Sequence, residues 1–328
     1  MLSVMLRRTQ SHILITGANG YIGRALSDEA AARAMHVVQC ARRPPAAAGW
    51  VALPNFDVSS TERLPLDCDA IVHLAGIAHR PPDQQPSETE YFDVNAKGAE
   101  TLAKAARGRA KVFVLVSTIA ALGPGIHQRE STVEPKPVTP YGRSKRAAES
   151  MVRDVLSGST TALRVVRLPA VHGPGAPGAI SQLAAWVARG RPIPSGCGVS
   201  FRSVIGIDNV ADFLLKAMSD TISTDLTLNP SDGPAPSVLD IARRIAVLKN
   251  IQLRVIPCPR PVLTIATSIA SVAGRPAAGL RQSLNRLLEN HVVEDDRALL
   301  ALGWRPPLTL EEGLKRAFGR NQAPNSHQ

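Results

Sequence analysis

Two residues in one short run of the sequence have the types and the spacing to move a proton. Tyr141 and Lys145 lie four positions apart in the run Tyr-Gly-Arg-Ser-Lys, and residues at i and i+4 share one face of a helix. A phenol can exchange a proton with a substrate oxygen if its pKa falls from about 10 towards neutrality. Because a nearby ammonium favours the phenolate, we expect Lys145 to lower the pKa of Tyr141.

A threonine at the end of an apolar run can assist the same chemistry. Thr118 follows the run Val-Phe-Val-Leu-Val-Ser, and its hydroxyl can donate a hydrogen bond to the substrate oxygen. We therefore predict a catalytic group of Thr118, Tyr141 and Lys145 that suits redox chemistry on an alcohol or ketone. The structural alternative is an aromatic residue at a helix start and a polar residue at a strand end.

A glycine-rich turn near the start of the chain could hold the hydride carrier. Gly17, Gly20 and Gly23 follow the apolar run 13–15 directly. Glycine lets the backbone approach a pyrophosphate closely, and the start of the next helix supplies amide donors. The spacing differs from the usual Gly-x-Gly-x-x-Gly, and glycine-rich turns are common. The prediction of a cofactor site therefore depends on the position of this turn directly after a predicted strand.

The end of the second predicted strand bears on the choice between NAD and NADP. An acidic residue there would accept hydrogen bonds from a free ribose 2′-hydroxyl, but the sequence reads Cys-Ala-Arg42-Arg43. A guanidinium suits a 2′-phosphate, so the pair favours NADP(H), unless both arginines are simply solvated. Asp57 could accept from the adenine amine or could cap a loop, and spacing alone does not separate these roles.

Strands and helices alternate through the first half of the chain. Apolar runs predict strands at 13–15, 37–40, 51–53, 69–74, 111–117 and 162–168, and the intervening patterns predict helices at 21–35, 95–107 and 141–156. Continuous apolar strands between helices indicate a parallel sheet covered on both faces. We predict an α/β fold with a Rossmann-type doubly wound sheet.

The composition changes beyond residue 168. Proline and glycine crowd 169–178 and 190–198, and short helices are expected near 210–218, 238–248 and 310–318. We predict a dinucleotide-binding domain over 1–168, with segments near 203–228 returning to it. A smaller, mainly substrate-binding lobe is expected over 169–328.

Charge and cysteine content narrow the class of partner. The net charge is +11 without a basic block, and only 4% of residues are aromatic. Both observations favour an anionic small molecule over nucleic acid. Cys40, Cys68, Cys197 and Cys258 form no Cys-x-x-Cys pair and lack a histidine at zinc spacing. We expect no metal and a reducing, cytoplasmic location. The apolar run 262–273 is shorter than the roughly twenty residues of a membrane span.

The motifs together resemble the extended short-chain dehydrogenase/reductase family, within which the chain is most similar to the UDP-glucose 4-epimerase-like group. The residues that carry the resemblance are 16–23, 57–58, 73–76, 95, 116–118, 141–145, 171–175, 302–306 and 310–314. The resemblance implies a bound NAD(P), a UDP- or dTDP-linked sugar and redox chemistry at C4. Dimers formed through the helix that carries the tyrosine are common in the family.

The resemblance also assigns binding residues. Together with the motifs above, it leads us to predict cofactor contacts from Gly17, Asn19, Gly20, Tyr21, Ile22, Gly23, Arg42, Arg43, Asp57, Val58, Leu74, Ala75, Gly76, Asn95, Ser117, Tyr141, Lys145 and Pro169. Substrate contacts are implied for Thr118, Tyr141 and Arg202, of which Arg202 matches the arginine that grips the diphosphate.

Two departures from the family pattern bear on the reaction. Ile119 and Ala120 follow Thr118 where the dehydratases carry two acids, so 4,6-dehydration is not expected. Ala170 stands where the epimerases use an asparagine to hold the sugar diphosphate, so the substrate's pose stays open.

Three functions remain after these comparisons. An epimerase would oxidise C4, let the keto sugar rotate and return the hydride, and the overall resemblance favours it. A reductase of a nucleotide-4-keto-6-deoxy-sugar would use NADPH once, and Arg42 with Arg43 favours that. A non-catalytic NAD(P)-sensing regulator would be expected to lose the tyrosine and lysine, and both are present.

Overall fold

Most of the chain is described by the computed structural model, which covers residues 12–78, 85–128, 134–218, 225–265, 288–294 and 297–319. The strands are β1 (His12–Thr16), β2 (His36–Ala41), β3 (Trp50–Ala52), β4 (Ala70–His73), β5 (Val112–Thr118), β6 (Gly125–Gln128), β7 (Ala162–Leu168), β8 (Ala170–His172), β9 (Ile193–Pro194), β10 (Val204–Gly206), β11 (Leu226–Leu228), β12 (Val255–Ile256) and β13 (His291–Glu294). The helices are α1 (Tyr21–Ala32), α2 (Val58–Glu62), α3 (Glu88–Phe92), α4 (Gly98–Ala106), α5 (Pro140–Leu156), α6 (Ala179–Ala188), α7 (Ile207–Ala217), α8 (Val238–Lys249), α9 (Arg297–Leu302) and α10 (Leu310–Phe318).

A seven-stranded sheet in the order β11-β7-β5-β4-β1-β2-β3 forms the centre of the molecule. All neighbouring strands in it run parallel. Successive residues of β1 bury into different cores: Ile13 and Ile15 pack with Phe213 of α7, whereas Leu14 packs with Leu102 of α4. Both faces of the sheet are therefore covered, which confirms the predicted doubly wound fold.

The strand order reverses beside β1, which pairs with β2 on one side and β4 on the other. In open α/β sheets a ligand crevice forms at this switch point, outside the carboxyl ends of the strands. β1 ends at Thr16 and β4 at His73, and these two residues are partners in the ladder. The segments that follow them are therefore the segments that line the crevice.

The start of α5 is set by its capping residue. The Thr139 hydroxyl accepts a hydrogen bond from the Gly142 amide at 3.0 Å, and Pro140 occupies the first helical position. Proline suits that position because its missing amide hydrogen would have no partner there. Tyr141 consequently lies in the first turn of α5, with Lys145 one turn later.

The helix expected at 95–107 begins earlier and changes its winding. α3 starts after Ser87, whose hydroxyl accepts from the Glu90 amide at 3.1 Å, and a π-helical turn at Asp93–Lys97 joins it to α4. Such wide turns alter which residues face inward. Asn95 lies in this turn and is buried.

A further core, separate from the two on the faces of the central sheet, lies among α6, α8 and α10, in the part of the chain beyond β7. It includes Leu183, Val187, Ile241, Ile245 and Leu314. The extent of a separate substrate-binding lobe remains a prediction.

The two segments expected to return to the main sheet behave differently. Leu226–Leu228 extends the sheet beside β7, whereas Val204–Gly206 pairs with β8 in a separate two-stranded sheet. Pro169 lies between β7 and β8 and has no amide hydrogen to continue a ladder, so β8 leaves the main sheet and takes its partner with it.

Among the described residues, each helix is too short or too polar to cross a membrane. The apolar run 262–273 lies mainly outside those residues.

Candidate active site

The glycine turn joins the ends of β1 and β4. Gly17 has a φ of 73°, and a Cβ there would lie 2.7 Å from the Ala75 amide nitrogen. A Cβ on Gly23 would lie 2.3 Å from the Gly17 carbonyl oxygen. Both positions require glycine, because real Cβ atoms do not approach other atoms so closely.

The amino end of α1 is available to an anion. Gly20 is its N-cap residue, no side chain caps it, and its first turn holds no acidic residue. The first amide hydrogens of a helix lack partners within it and favour negative charge. The residues present therefore fit a pyrophosphate group. Asn19 is exposed, and Tyr21 and Ile22, which begin the helix, are half-buried.

The end of β2 lies against the same turn. The Cys40 carbonyl accepts hydrogen bonds from the Gly17 amide at 2.8 Å and the Ala18 amide at 3.2 Å. Arg42 and Arg43 follow one residue after this contact, and both are exposed. Contact of their guanidinium groups with a ligand held at the turn stays a prediction.

Asp57 acts as a helix cap in the structure. Its Oδ1 accepts from the Ser60 amide at 2.7 Å and from the Ser59 hydroxyl at 3.0 Å, and these hydrogen bonds hold its pKa below the ordinary range. Val58 begins α2 and is exposed. The capping role is thus present, while contact of these two residues with an adenine stays a prediction.

The segment after β4 is held by Asn95. The Asn95 Oδ1 accepts from the Ile77 amide at 2.7 Å, and its Nδ2 donates to the Ile77 carbonyl at 3.0 Å. A Cβ on Gly76 would lie 2.7 Å from that Oδ1. Asn95 thus shapes the segment Leu74-Ala75-Gly76 at the crevice through side-chain bonds to the backbone.

Thr118 and Tyr141 come together in the structure. The Thr118 hydroxyl forms a hydrogen bond with the Tyr141 phenol and thereby lowers its pKa, but burial outweighs this effect and raises the pKa of Tyr141 to about 12. The expected fall in the pKa of Tyr141 is therefore wrong. The ring of Tyr91 packs beside Tyr141, with centroids 6.1 Å apart.

Lys145 is buried in the same region, with a relative exposure of 6%. Burial lowers its pKa to about 8, while the carboxylate of Glu149 acts in the opposite direction. His73 lies nearby at the end of β4, where burial lowers its pKa to about 3. At neutral pH the lysine therefore faces an uncharged imidazole.

Backbone pairing links Arg202 to the segment that follows Thr118. It precedes β10 and bridges to His291 of β13, and β13 pairs with β6, which follows the end of β5. Arg202 is 9% exposed. Pro169 is buried after the end of β7. Contact of either residue with a ligand stays a prediction.

Three buried residues of the site were missed by the sequence analysis. Tyr91 packs beside Tyr141, while Glu149 and Arg167 form an ion pair at 2.6 Å. The position of Glu149, four residues after Lys145, was an available signal because it lies on the same helix face. No local pattern in the sequence marks Arg167 as the partner of Glu149.

Comparison with known proteins establishes the family. A model of the NAD dependent epimerase/dehydratase family matches residues 13–226. The chain belongs to this family. The resemblance found in the sequence is thus confirmed, as are the expectations of an enzyme and of NAD or NADP as its cofactor.

Curated relatives span nearly the whole chain. UDP-glucose 4-epimerase of Vibrio cholerae is 26% identical over 322 residues, which cover 94% of this chain and 95% of the relative. The dTDP-6-deoxy-L-talose 4-dehydrogenase (NAD(P)(+)) of Kitasatospora kifunensis is 27% identical, with coverage of 94% and 95%. Ceramide reductase of Caulobacter vibrioides is also 27% identical, with coverage of 94% and 90%.

Solved structures agree on the fold. A human epimerase family protein with NADPH superimposes with a TM-score of 0.74 at 24% identity, covering 95% of this chain and 100% of the other. The UDP-glucose 4-epimerase of Thermus thermophilus in complex with NAD gives a TM-score of 0.70 at 21% identity, with coverage of 94% and 97%.

Proposed function

We propose that this enzyme is an NAD(P)-dependent nucleotide-sugar C4 oxidoreductase that acts as a nucleoside-diphosphate-sugar 4-epimerase. The observation that carries the proposal is the pairing of Thr118 with Tyr141, one helical turn from Lys145, at the carboxyl ends of the central strands. Relatives named as 4-epimerases of UDP-glucose and dTDP-L-rhamnose support the same reaction.

Each hydride transfer at C4 needs a proton moved at the attached oxygen. With a pKa of about 12, Tyr141 is a protonated phenol at neutral pH, ready to donate to O4 of a keto sugar. Oxidation of the sugar requires the phenolate, which the Thr118 hydroxyl and the positive charge of Lys145 favour. The nicotinamide, when bound, exchanges the hydride.

The substrate we propose is a UDP- or dTDP-linked sugar. The net charge of +11 favours an anionic ligand. Arg202 is the candidate partner of its diphosphate, because a guanidinium can bind phosphate oxygens in a bidentate manner. Ala170 has no polar side chain with which to bind the diphosphate. Of these two positions, we therefore assign only Arg202 to diphosphate binding.

A second candidate is the NADPH-dependent reduction of a nucleotide-4-keto-6-deoxy-sugar. Arg42 and Arg43 are exposed beside the glycine turn and suit a 2′-phosphate. One relative is a UDP-2-acetamido-2,6-beta-L-arabino-hexul-4-ose reductase from Pseudomonas aeruginosa. This candidate differs from the epimerase in consuming its cofactor.

We also propose that the enzyme works in the cytoplasm. All four cysteines are free thiols in the structure, as is usual for proteins of a reducing compartment.

The deciding experiment follows the products by NMR. The purified protein is incubated with a panel of UDP- and dTDP-sugars and their 4-keto derivatives, with and without added NADPH. A C4 epimer formed without added cofactor supports the epimerase, while a reduced sugar formed only with NADPH supports the reductase. No turnover across the panel would refute both.

A further inference from the structure

A single buried carboxylate joins the two elements that carry the candidate catalytic residues, α5 and β5, to strand β7. Glu149 is 1% exposed and lies on α5, one turn after Lys145 and two turns after Tyr141. The Ser117 hydroxyl donates to its Oε1 at 2.6 Å. Arg167 donates through Nε at 2.9 Å and through Nη2 at 2.6 Å.

The partners of Glu149 stand directly beside functional positions. Ser117 precedes Thr118 at the end of β5, and Arg167 lies next to the last residue of β7. The bidentate contact with Arg167 is the geometry that holds two groups most firmly. The carboxylate therefore sets the position of α5 relative to the ends of two strands.

The same carboxylate is the negative charge that acts on Lys145. Burial disfavours the ammonium form, and Glu149 opposes that effect. From β4 the lysine faces His73, which is neutral at pH 7, and from its own helix it has Tyr141, also neutral. From β7 the positive Arg167 is paired with Glu149. Arg146 of α5 also donates to Oε2 of that carboxylate, at 3.2 Å. The nearby β5 residues, Ser117 and Thr118, are uncharged.

We propose that Glu149, clamped by Arg167 and Ser117, is a positioning residue that keeps Lys145 charged and aligns the Thr118 and Tyr141 hydroxyls. This inference rests on the proposed function for its kinetic consequence. A buried ion pair is by itself weak evidence for stability. The placement of this pair behind the catalytic group gives it a role beyond stability.

The test compares three variants. Glu149→Gln keeps the size and an acceptor oxygen but removes the charge, so the alkaline limb of the pH profile of kcat/KM should move to lower pH by about 1–3 units. Arg146→Gln removes an exposed partner and leaves the charge on Glu149, so the limb should stay in place. Glu149→Asp keeps the charge with a shorter reach, so the limb should stay while kcat falls.

A second measurement does not depend on turnover. Competitive labelling of amines with acetic anhydride across pH, read by mass spectrometry of the peptide that contains Lys145, reports the titration of that side chain. The midpoint should lie near pH 8 in the native protein and lower in Glu149→Gln.

The outcomes separate the two ideas. A wild-type enzyme without turnover on any sugar refutes the proposed function, while the labelling still tests Glu149. An unchanged labelling midpoint in Glu149→Gln overturns the inference. If that variant does not fold, an undiminished kcat in Glu149→Asp overturns the inference instead, and a reduced kcat with an unmoved alkaline limb supports it.

Discussion

The side chain of Asn95 connects the segment after β4 to α5, the helix that carries Tyr141, since its Nδ2 donates to Ser144 Oγ at 3.0 Å. The Ser144 hydroxyl in turn donates to the Tyr141 carbonyl at 2.9 Å. All the polar atoms of the Asn95 side chain are thus engaged with protein groups, including Ile77. Its influence on a cofactor would pass through the backbone that it orders.

Replacing Asn95 with aspartate should loosen this connection. The carboxylate cannot donate to the Ile77 carbonyl or to Ser144 Oγ, and it places a charge in a buried position. Each unpaired buried group costs about 1–3 kcal/mol, so we expect a lower free energy of unfolding, measured in urea, together with a lower kcat. Asn55→Asp makes the same change at an exposed position and should be nearly neutral. Equal effects at both positions would contradict the role of Asn95.

Removal of the Tyr141 hydroxyl should abolish most turnover and spare cofactor binding. General acid–base assistance is worth about 10²–10⁴-fold in rate, so Tyr141→Phe should lower kcat by that factor while the Kd for NAD(P)H, measured by fluorescence, stays constant. Tyr91→Phe removes another buried phenol nearby and should cost less than about 10-fold. An undiminished kcat in Tyr141→Phe would remove this residue from the mechanism.

The arginines at the end of β2 make a prediction about cofactor preference. Arg42→Ala should weaken NADP(H) binding much more than NAD(H) binding, because only the former carries a 2′-phosphate. Titration calorimetry with both cofactors gives the ratio of affinities. Arg189→Ala removes an exposed arginine after α6 and should leave the ratio unaltered. The assignment to a 2′-phosphate is wrong if Arg42→Ala also preserves it.

The packing of the glycine turn can be tested with one methyl group. Gly23→Ala would place a Cβ 2.3 Å from the Gly17 carbonyl oxygen, which forces the turn to move. We expect a lower Tm and cofactor binding weakened by at least about 10-fold, since overpacking typically costs 1–3 kcal/mol. In Gly198→Ala the new Cβ meets Leu239 at an ordinary 3.5 Å. A Gly23→Ala protein that binds the cofactor normally would show that the close contact is unimportant.

Acid should destabilise the fold through His73. Its pKa is about 3 in the folded protein against 6.5 when unfolded, so between these values only the unfolded chain binds the proton. Stability therefore falls as pH drops from 6.5 to 3, by about 3–5 kcal/mol from this residue. His73→Asn should flatten that dependence in urea titrations, whereas His36→Asn, at an exposed position, should not. An equally steep fall in His73→Asn would assign the acid sensitivity to other groups.

Local patterns in the sequence were sufficient for the doubly wound sheet, the glycine turn and the tyrosine–lysine pair. Each depends on spacing along one strand or one helix, or on the order of successive elements. Residues 13–15, for example, are apolar on both faces of the predicted strand. They indicate a buried strand even when its neighbouring strands are not known, because both faces must be covered.

The electrostatic state of the site was decided by tertiary structure alone. Burial, which no local pattern reports, raises the pKa of Tyr141 and lowers that of Lys145. The partners of Glu149 come from β5 and β7, and the side chain of Asn95, buried in a π-helical turn, reaches Ser144 of α5. Contacts between residues far apart in the chain set these properties, since the cost of burying a charge depends on everything that surrounds it.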